Sequence, residues 1–375
     1  MSITVCIAPA KTLDYPKGGG HLWAYLNWAL GLRALGCKVI WLEFVPPRTP
    51  AEEIRANIAA LKIRLETYGL VNCLALHSWT NEPLPPELSM ASLSLDEAAG
   101  ADLLLELRYN TPLQVVKRFK RSALVDLDPG LLQTWMSKGQ VCVAPHDVYF
   151  TIGETVGQPG AQVPDLGLRW NYTPPCVALD WWPPCKISGK APFTTVVHWY
   201  AGGWIIDDPR PDNKQTAFLP FLDMPLVTGH EMELALDLKP EDDQRSTLEG
   251  HGWRLVDAHA VASTPRDYQR YIQESFGEFS CAKPSYVRLE TAWVSDRTLC
   301  YLASGKPAVV QHTGRSRFLP DAAGLFRFRD VESSACAIKK VVIDYDRQCK
   351  LARALAEEYF DASKVVATVL ERALS

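Results

Sequence analysis

The feature that most constrains this chain is an alternation of strand, loop, helix and strand that runs once, breaks at a proline-rich stretch, and starts again. Residues 3–7 form a β-branched run fit for a buried strand. Lys17-Gly18-Gly19-Gly20 follows as a loop, after which Leu22, Leu26, Ala29, Leu30 and Leu35 recur at helical spacing. Gly36 stops that helix, and residues 39–44 read as the next strand. A unit in this order closes as a right-handed crossover. Residues 51–68 predict a second helix, and 103–107, 124–127, 141–144 and 149–151 predict further strands.

From 157 to 190 the chain is rich in Pro, Gly and Trp, including Thr173-Pro174-Pro175 and Trp181-Trp182-Pro183-Pro184. Proline disfavours continued helix or central strand, so this stretch reads as a long loop and interdomain linker. The alternation resumes with strands predicted at 194–199, 225–228, 253–256, 279–282, 308–311 and 325–328. Thr264-Pro265 opens one helix with a cap residue and a first-turn proline. Ser295-Asp296 caps another that Gly305 ends, and 335–374 is helical with a break near 359–362. The length of 375 residues exceeds what one core usually serves. The expected fold is therefore α/β, two Rossmann-like domains facing across a cleft, with a helical C-terminus. Ligands of such sheets lie beyond the carboxyl ends of the strands.

Composition removes several classes of function. The net charge of −4 lacks the basic signature of a dedicated nucleic-acid binder. The run Lys117-Arg118-Phe119-Lys120-Arg121 is the main exception and reads as a solvated helix end. No apolar stretch is long enough to span a bilayer, and the first ten residues read as a strand instead of a signal peptide. Ten cysteines are scattered without a CxxC pair or a Cys/His cluster, which predicts reduced core thiols, a cytoplasmic setting and no structural metal.

Chemistry concentrates at 277–320, a strand, loop, helix, glycine stop, strand and loop. Ser295 and Asp296 stand at a helix N-terminus, where free amides and the dipole favour an anion. Arg288 and Arg297 flank that point and Lys283 ends the preceding strand, a cradle suited to a diphosphate. The plainer alternative is that Ser295 only caps its helix while the basic residues are solvated.

Cys300-Tyr301-Leu302-Ala303-Ser304-Gly305-Lys306-Pro307-Ala308-Val309-Val310 resembles the helix-Gly-x-Pro-strand signature in the donor lobe of GT-B glycosyltransferases. Gly18-Gly19-Gly20-His21, its helix, and Leu35-Gly36-Cys37-Lys38-Val39 are similar to the first loop and helix of the same superfamily. Asp126-Leu127-Asp128-Pro129-Gly130, residues 146–154 and Trp293-Val294-Ser295-Asp296-Arg297 extend the likeness to a group of bacterial glycosyltransferase-like proteins. The resemblance implies a metal-independent transferase without a cofactor, using a nucleotide-sugar as co-substrate. It implies an acceptor domain at 1–187, a donor domain at 188–350 and a final helix at 351–375 that crosses back to the first domain. Many retaining members carry a glutamate that meets the donor ribose, but counting back from Gly305 puts Cys300 there. Glu290 and Asp296 are the nearest acidic substitutes.

The same resemblance supplies the other site expectations. His21 resembles the catalytic histidine of inverting members in position, and a histidine near neutral pKa suits a base, the plainer alternative being a loop or capping residue. Gly19 and Gly20 would let the donor phosphate approach the backbone. His146 and Asp128 fall at predicted strand ends on the acceptor side, with Asp147 and Glu154 as further carboxylates. His230, Thr313 and Gly314 follow predicted donor-domain strands, and Gly202-Gly203 offers another close-approach loop. Acceptor identity stays open between a small molecule, a glycan and, less in keeping with the charge, a nucleic acid. The rival readings are a sugar-nucleotide epimerase using Glu106, Asp128 and Glu290, and a catalytically silent nucleotide-binding protein.

Overall fold

The strands assemble into two sheets, and every strand pair in both is parallel. They are seen in a computed structural model that describes the chain apart from Met1, Arg48, Asn81, Met90, Ala91, Ser188, Gly189, Gly203, Trp204, Ile206, Asp207 and Pro240. Gly203, half of the Gly202-Gly203 loop, thus lies outside the described residues. The first sheet comprises β1 (Thr4–Ala8), β2 (Lys38–Val45), β3 (Leu74–Ser78), β4 (Leu103–Glu106), β5 (Ser122–Asp126), β6 (Val148–Thr151) and β7 (Trp170–Tyr172), in the order β3-β2-β1-β4-β5-β6-β7. The second comprises β8 (Phe193–Val197), β9 (Met232–Leu236), β10 (Arg254–Asp257), β11 (Gly277–Ser280), β12 (Ala308–Gln311) and β13 (Leu325–Phe328), in the order β10-β9-β8-β11-β12-β13.

Parallel strands need helical crossovers, so both faces of each sheet are covered and its inner strands are largely buried. Val5, Cys6, Ile7 and Ala8 of β1 are fully buried, as are Leu103, Leu104 and Leu105 of β4. Winding reverses between β1 and β4 in the first sheet and between β8 and β11 in the second. Those switch points are where a crevice opens at the carboxyl ends of the strands.

The structure corrects four expectations of the sequence. Residues 141–144 form no strand. Residues 225–228 lie in the helix Met224–Thr228, with Pro225 in its first turn and Gly229 at φ 67° closing it. The donor-sheet strand comes after that glycine, as β9, so His230 precedes the strand and sits at its amino end, beside Phe193. Of the ten cysteines, all free thiols, only Cys6, Cys73, Cys176, Cys281 and Cys300 are buried.

The two lobes are packed together. The first helix, Gly19–Ala34, lies against the second lobe, with Trp23 Nε1 donating to the Pro265 carbonyl at 2.8 Å. A Cβ on Gly19 would run into the Thr264 and Ala262 carbonyls, and one on Gly20 would stand 2.6 Å from the Tyr268 ring. The glycines are therefore required by lobe-to-lobe contact, a different reason from the close approach of a phosphate. Trp182 of the linker is fully buried and meets the Trp23 ring at 4.8 Å. The last helix, Ala362–Leu374, rests on the first, where Ala362 Cβ lies 2.9 Å from the position of a Cβ on Gly31. Arg121 Nε donates to the Ala373 carbonyl at 3.1 Å and Val177 bridges Asp361. No helix among the described residues is long and apolar enough to cross a membrane.

Candidate active site

Between the lobes lies a cleft of about 480 Å³. The first lobe lines it with Gly18, Gly19, Gly20, His21, Tyr25 and Asp128, and the second with His198, Lys214, Lys283, Ser295, Asp296 and Arg297. The carboxyl ends of both sheets thus converge on one space.

On the second lobe the helix Asp296–Ala303 points its amino end at the cleft. Ser295 is its cap, accepting from the Arg297 amide at 3.3 Å. The remaining first-turn amides and the dipole make this an anion site. Burial pushes the Asp296 carboxyl up, with the Arg297 charge opposing it.

Two lysines face the same point. The Lys283 ammonium makes no hydrogen bond or ion pair among the described residues, and the residue lines the cleft. Lys214 opens the helix Lys214–Phe218 behind its Asn213 cap, and its buried ammonium donates to the Cys281 carbonyl. Burial, then the neighbouring Arg297 charge, pushes its pKa down to about 7. A bound diphosphate would favour the charged form of Lys214. Sequence reasoning missed Lys214. The signal was there, because an Asn cap followed at once by a cation opposes the helix dipole and calls for another reason.

On the first lobe, the His21 Nε2 lies 2.6 Å from the Ala10 carbonyl, and the ring meets Tyr15 and Tyr25 edge-on at 5.6 and 5.2 Å. With the proton on Nε2 donated to Ala10, the neutral ring presents Nδ1 as its lone-pair nitrogen. Burial lowers the His21 pKa, and the Ala10 contact opposes that only in part. Tyr15 reaches across the cleft to His198, its hydroxyl 3.0 Å from Nε2. Asp128 is held by two tyrosines, Tyr109 from its own lobe at 2.9 Å and Tyr286 from the other at 2.8 Å.

Several expected site residues do not offer their functional groups to the cleft. Arg297 lines its floor, but the guanidinium is turned inward: Nε bonds Glu278 at 2.8 Å, one terminal nitrogen the Val196 carbonyl at 3.0 Å and the other Ser280 Oγ at 2.6 Å. It ties β8 to β11, because Glu278 is fully buried and needs a cation. Arg288 pairs with Asp208 at 3.2 Å, away from the anion site. Glu290 is exposed, at φ 46°, and offers only its carbonyl, to Thr155 Oγ1 at 3.2 Å. Thr313 donates to the Trp293 carbonyl at 2.6 Å, and Gly314, at φ 122°, packs on the Glu290 carbonyl. Both brace the loop leading to the donor helix. His230 lies at the wrong end of β9.

His146 is buried with Glu106, Nε2 to Oε2 at 2.8 Å, and Nδ1 faces the Ala144 carbonyl at 2.7 Å. Glu106 also accepts the Thr111 amide at 3.0 Å, so this pair is internal scaffolding, closed to a substrate. Asp147 caps Ser122 at 2.8 Å. Glu154 accepts from Ser316 at 2.5 Å and from the Arg317 amide at 2.7 Å, fastening one lobe to the other. The basic run before β5 lies at the amino end of the sheet, opposite the cleft, with Arg118 paired to Asp96.

Two parallel sheets whose carboxyl ends share a closed cleft, with a terminal helix returning to the first lobe, define the GT-B architecture. Solved structures with this fold align along nearly the whole chain. An α-glucosyltransferase in complex with UDP and a 13-mer DNA containing a HMU base matches with a TM-score of 0.58 and 12% identity, covering 100% of both chains. Anabaena HepE in complex with UDP-glucose matches at 0.56 and 11%, covering 99% of this chain and 100% of that one. A glycosyltransferase from Rickettsia africae ESF-5 matches at 0.54 and 10%, covering 99% and 98%. No protein-family model matches the chain, and no curated protein matches it in sequence.

Proposed function

We propose that this protein transfers a sugar from a nucleotide-diphosphate donor to an acceptor hydroxyl, with a UDP-sugar as the donor to test first. The observation that carries this reading is the meeting, in one cleft, of a helix amino end with Lys214 and Lys283 on one lobe and a neutral histidine on the other. The first group suits a leaving diphosphate, whose charge grows as the glycosidic bond breaks. The second suits a base that takes the acceptor proton, which is the arrangement for inversion at the anomeric carbon. On this reading residues 1–187 hold the acceptor, 188–350 the donor, and 351–375 tie the two. The neighbours solved with UDP or UDP-glucose support the choice of nucleotide. Two lysines and a dipole carry the diphosphate charge, so no metal or cofactor is invoked. The basic run faces away from the cleft, which favours a small-molecule or glycan acceptor over a nucleic acid. The free thiols fit a cytoplasmic protein.

A thermal-shift panel of UDP, GDP and dTDP and their sugars, run in EDTA, tests this reading. Ligand at about a hundredfold over its Kd adds about 2.7 kcal/mol to a state that alone binds it. A selective rise of several degrees with one nucleotide is expected, and a flat response at millimolar concentration would reject the donor site. Lys283→Ala should then weaken the binding of that nucleotide about tenfold by calorimetry, through loss of one charge-assisted contact. Unchanged affinity would remove Lys283 from the cradle.

A further inference from the structure

Asp128 stands at the end of β5 in the first lobe, and the two hydroxyls on its oxygens come from different lobes. Tyr109 OH accepts the Leu127 amide at 2.9 Å, which directs its own proton to Asp128 Oδ2. Tyr286 OH donates to Oδ1 at 2.8 Å. Tyr286 belongs to the helix Pro284–Leu289, directly after Lys283, and its ring lies flat on Trp293 with centroids 4.2 Å apart and planes at 11°. Trp293 lines the cleft two residues ahead of Ser295. The seam is tight beside this contact. Gly130, at φ 87°, leaves a would-be Cβ 2.9 Å from Leu289 and 3.1 Å from Thr291. Glu290 and Ala292 both hold left-handed backbone, at φ 46° and 57°, and the Thr291 carbonyl between them accepts the Glu154 amide of the first lobe at 2.9 Å.

A continuous set of contacts therefore runs from the amino end of the donor helix through Trp293 and Tyr286 to a carboxylate on the acceptor side. The Tyr286 hydroxyl crosses the seam to a carboxyl group that lines the cleft. The Tyr286 bond depends on the two lobes being in contact, whereas the Tyr109 bond lies within the first lobe.

We infer that Tyr286 is a positioning residue that couples binding on the donor side to the placement of Asp128 on the acceptor side. The inference rests on the donor-site reading above. Nucleotide against Ser295 and Trp293 fixes the Tyr286 ring, the hydroxyl fixes Asp128, and Asp128 is then set to orient an acceptor hydroxyl beside His21.

Hydrogen exchange tests it without a known acceptor. UDP, with GDP and dTDP in parallel, is added to the wild type and to Tyr286→Phe, which keeps the ring and its stacking but removes the hydroxyl. In the wild type, nucleotide should slow exchange at 286–297 and also at 126–134, a first-lobe segment on the far side of the seam. In Tyr286→Phe the slowing at 286–297 should persist, while that at 126–134 falls about tenfold, the size of one charge-assisted hydrogen bond. Asp128→Ala, which removes the acceptor, should produce the same loss, and the double variant no more than either single one, since both remove the same bond. Protection at 126–134 that survives in Tyr286→Phe, or that never appears in the wild type beside protected 286–297, rejects the coupling alone. Absence of protection at both segments with every nucleotide rejects the donor reading and the coupling with it. Should Tyr286→Phe fold poorly, Asp128→Ala gives the same comparison from the other side of the bond.

Discussion

Replacing His21 with alanine is expected to cut sugar transfer by about 10²- to 10⁴-fold, the usual contribution of a positioned general base. Nucleotide affinity should hardly change, because His21 sits on the lobe opposite the lysines and the donor helix. The geometry makes a particular demand on the ring. The Ala10 carbonyl, 2.6 Å from Nε2, fixes which nitrogen carries the proton, so Nδ1 is the one left to accept. Tyr15 and Tyr25 hold the ring edge-on and limit its rotation. His21→Gln keeps a donor for Ala10 but supplies no base, so it should fall nearly as far as alanine. A rate within about twofold of wild type in either variant, with the protein folded, would leave His21 as a structural contact to the loop.

The pH dependence carries a sign. A base works when deprotonated, and burial holds the His21 pKa below the usual 6.5. The acid limb of the rate profile should therefore lie below pH 6.5, with transfer undiminished between there and neutrality. A limb at or above 6.5 that vanishes in His21→Gln would place the ring in a more solvated setting than the packed cleft provides.

Much of the architecture was legible in the sequence because buried parallel strands are short, apolar and bounded by glycine. Residues 308–311 and 325–328 match β12 and β13 residue for residue, each preceded by a turn that Gly305 or Gly324 permits. β9 was not legible. Its sequence, Met-Glu-Leu-Ala-Leu, consists of good helix formers, and only its place between β8 and β10 makes it a strand. The neighbouring Met-Pro-Leu-Val-Thr carried the β-branched residues instead and drew the strand assignment to itself. That one exchange displaced His230 to the wrong end of the sheet. β7 was hidden differently, as three residues inside a proline-rich run, held as an edge strand by β6.

The site was legible where backbone geometry makes the chemistry, as at Ser295 and the helix it caps. It was not legible where a side chain had a choice of partners. His146 looked available because nothing local shows that β4 brings Glu106 to it. Gly19 and Gly20 were placed in the cleft correctly, yet the feature that forbids a side chain there is the Ala262–Tyr268 region of the other lobe, over two hundred residues on.

Arg297 is the sharpest case, and it yields the second large effect. From sequence it flanks the anion site, so its removal should weaken nucleotide binding. In the structure its three contacts all point into the second lobe, to Glu278, Val196 and Ser280. Arg297→Ala would leave the Glu278 carboxyl group without its cation in a fully buried position, with Oε2 already lacking a hydrogen-bond partner among the described residues. Breaking such a pair costs about 3–5 kcal/mol. That is a large share of the stability of a typical domain. Lysine should not restore it, since one ammonium cannot reach three acceptors set around a planar fork. Arg297→Met combined with Glu278→Leu should recover most of the loss, because it removes both charges together. Denaturant unfolding of the four proteins, beside nucleotide affinity of the folded fraction, separates the two accounts. A stability loss with affinity changed less than about threefold supports the inward role, since what remains is only the screened charge at a distance. Wild-type stability with affinity lost would return Arg297 to the diphosphate and leave β8 and β11 held by their backbone alone.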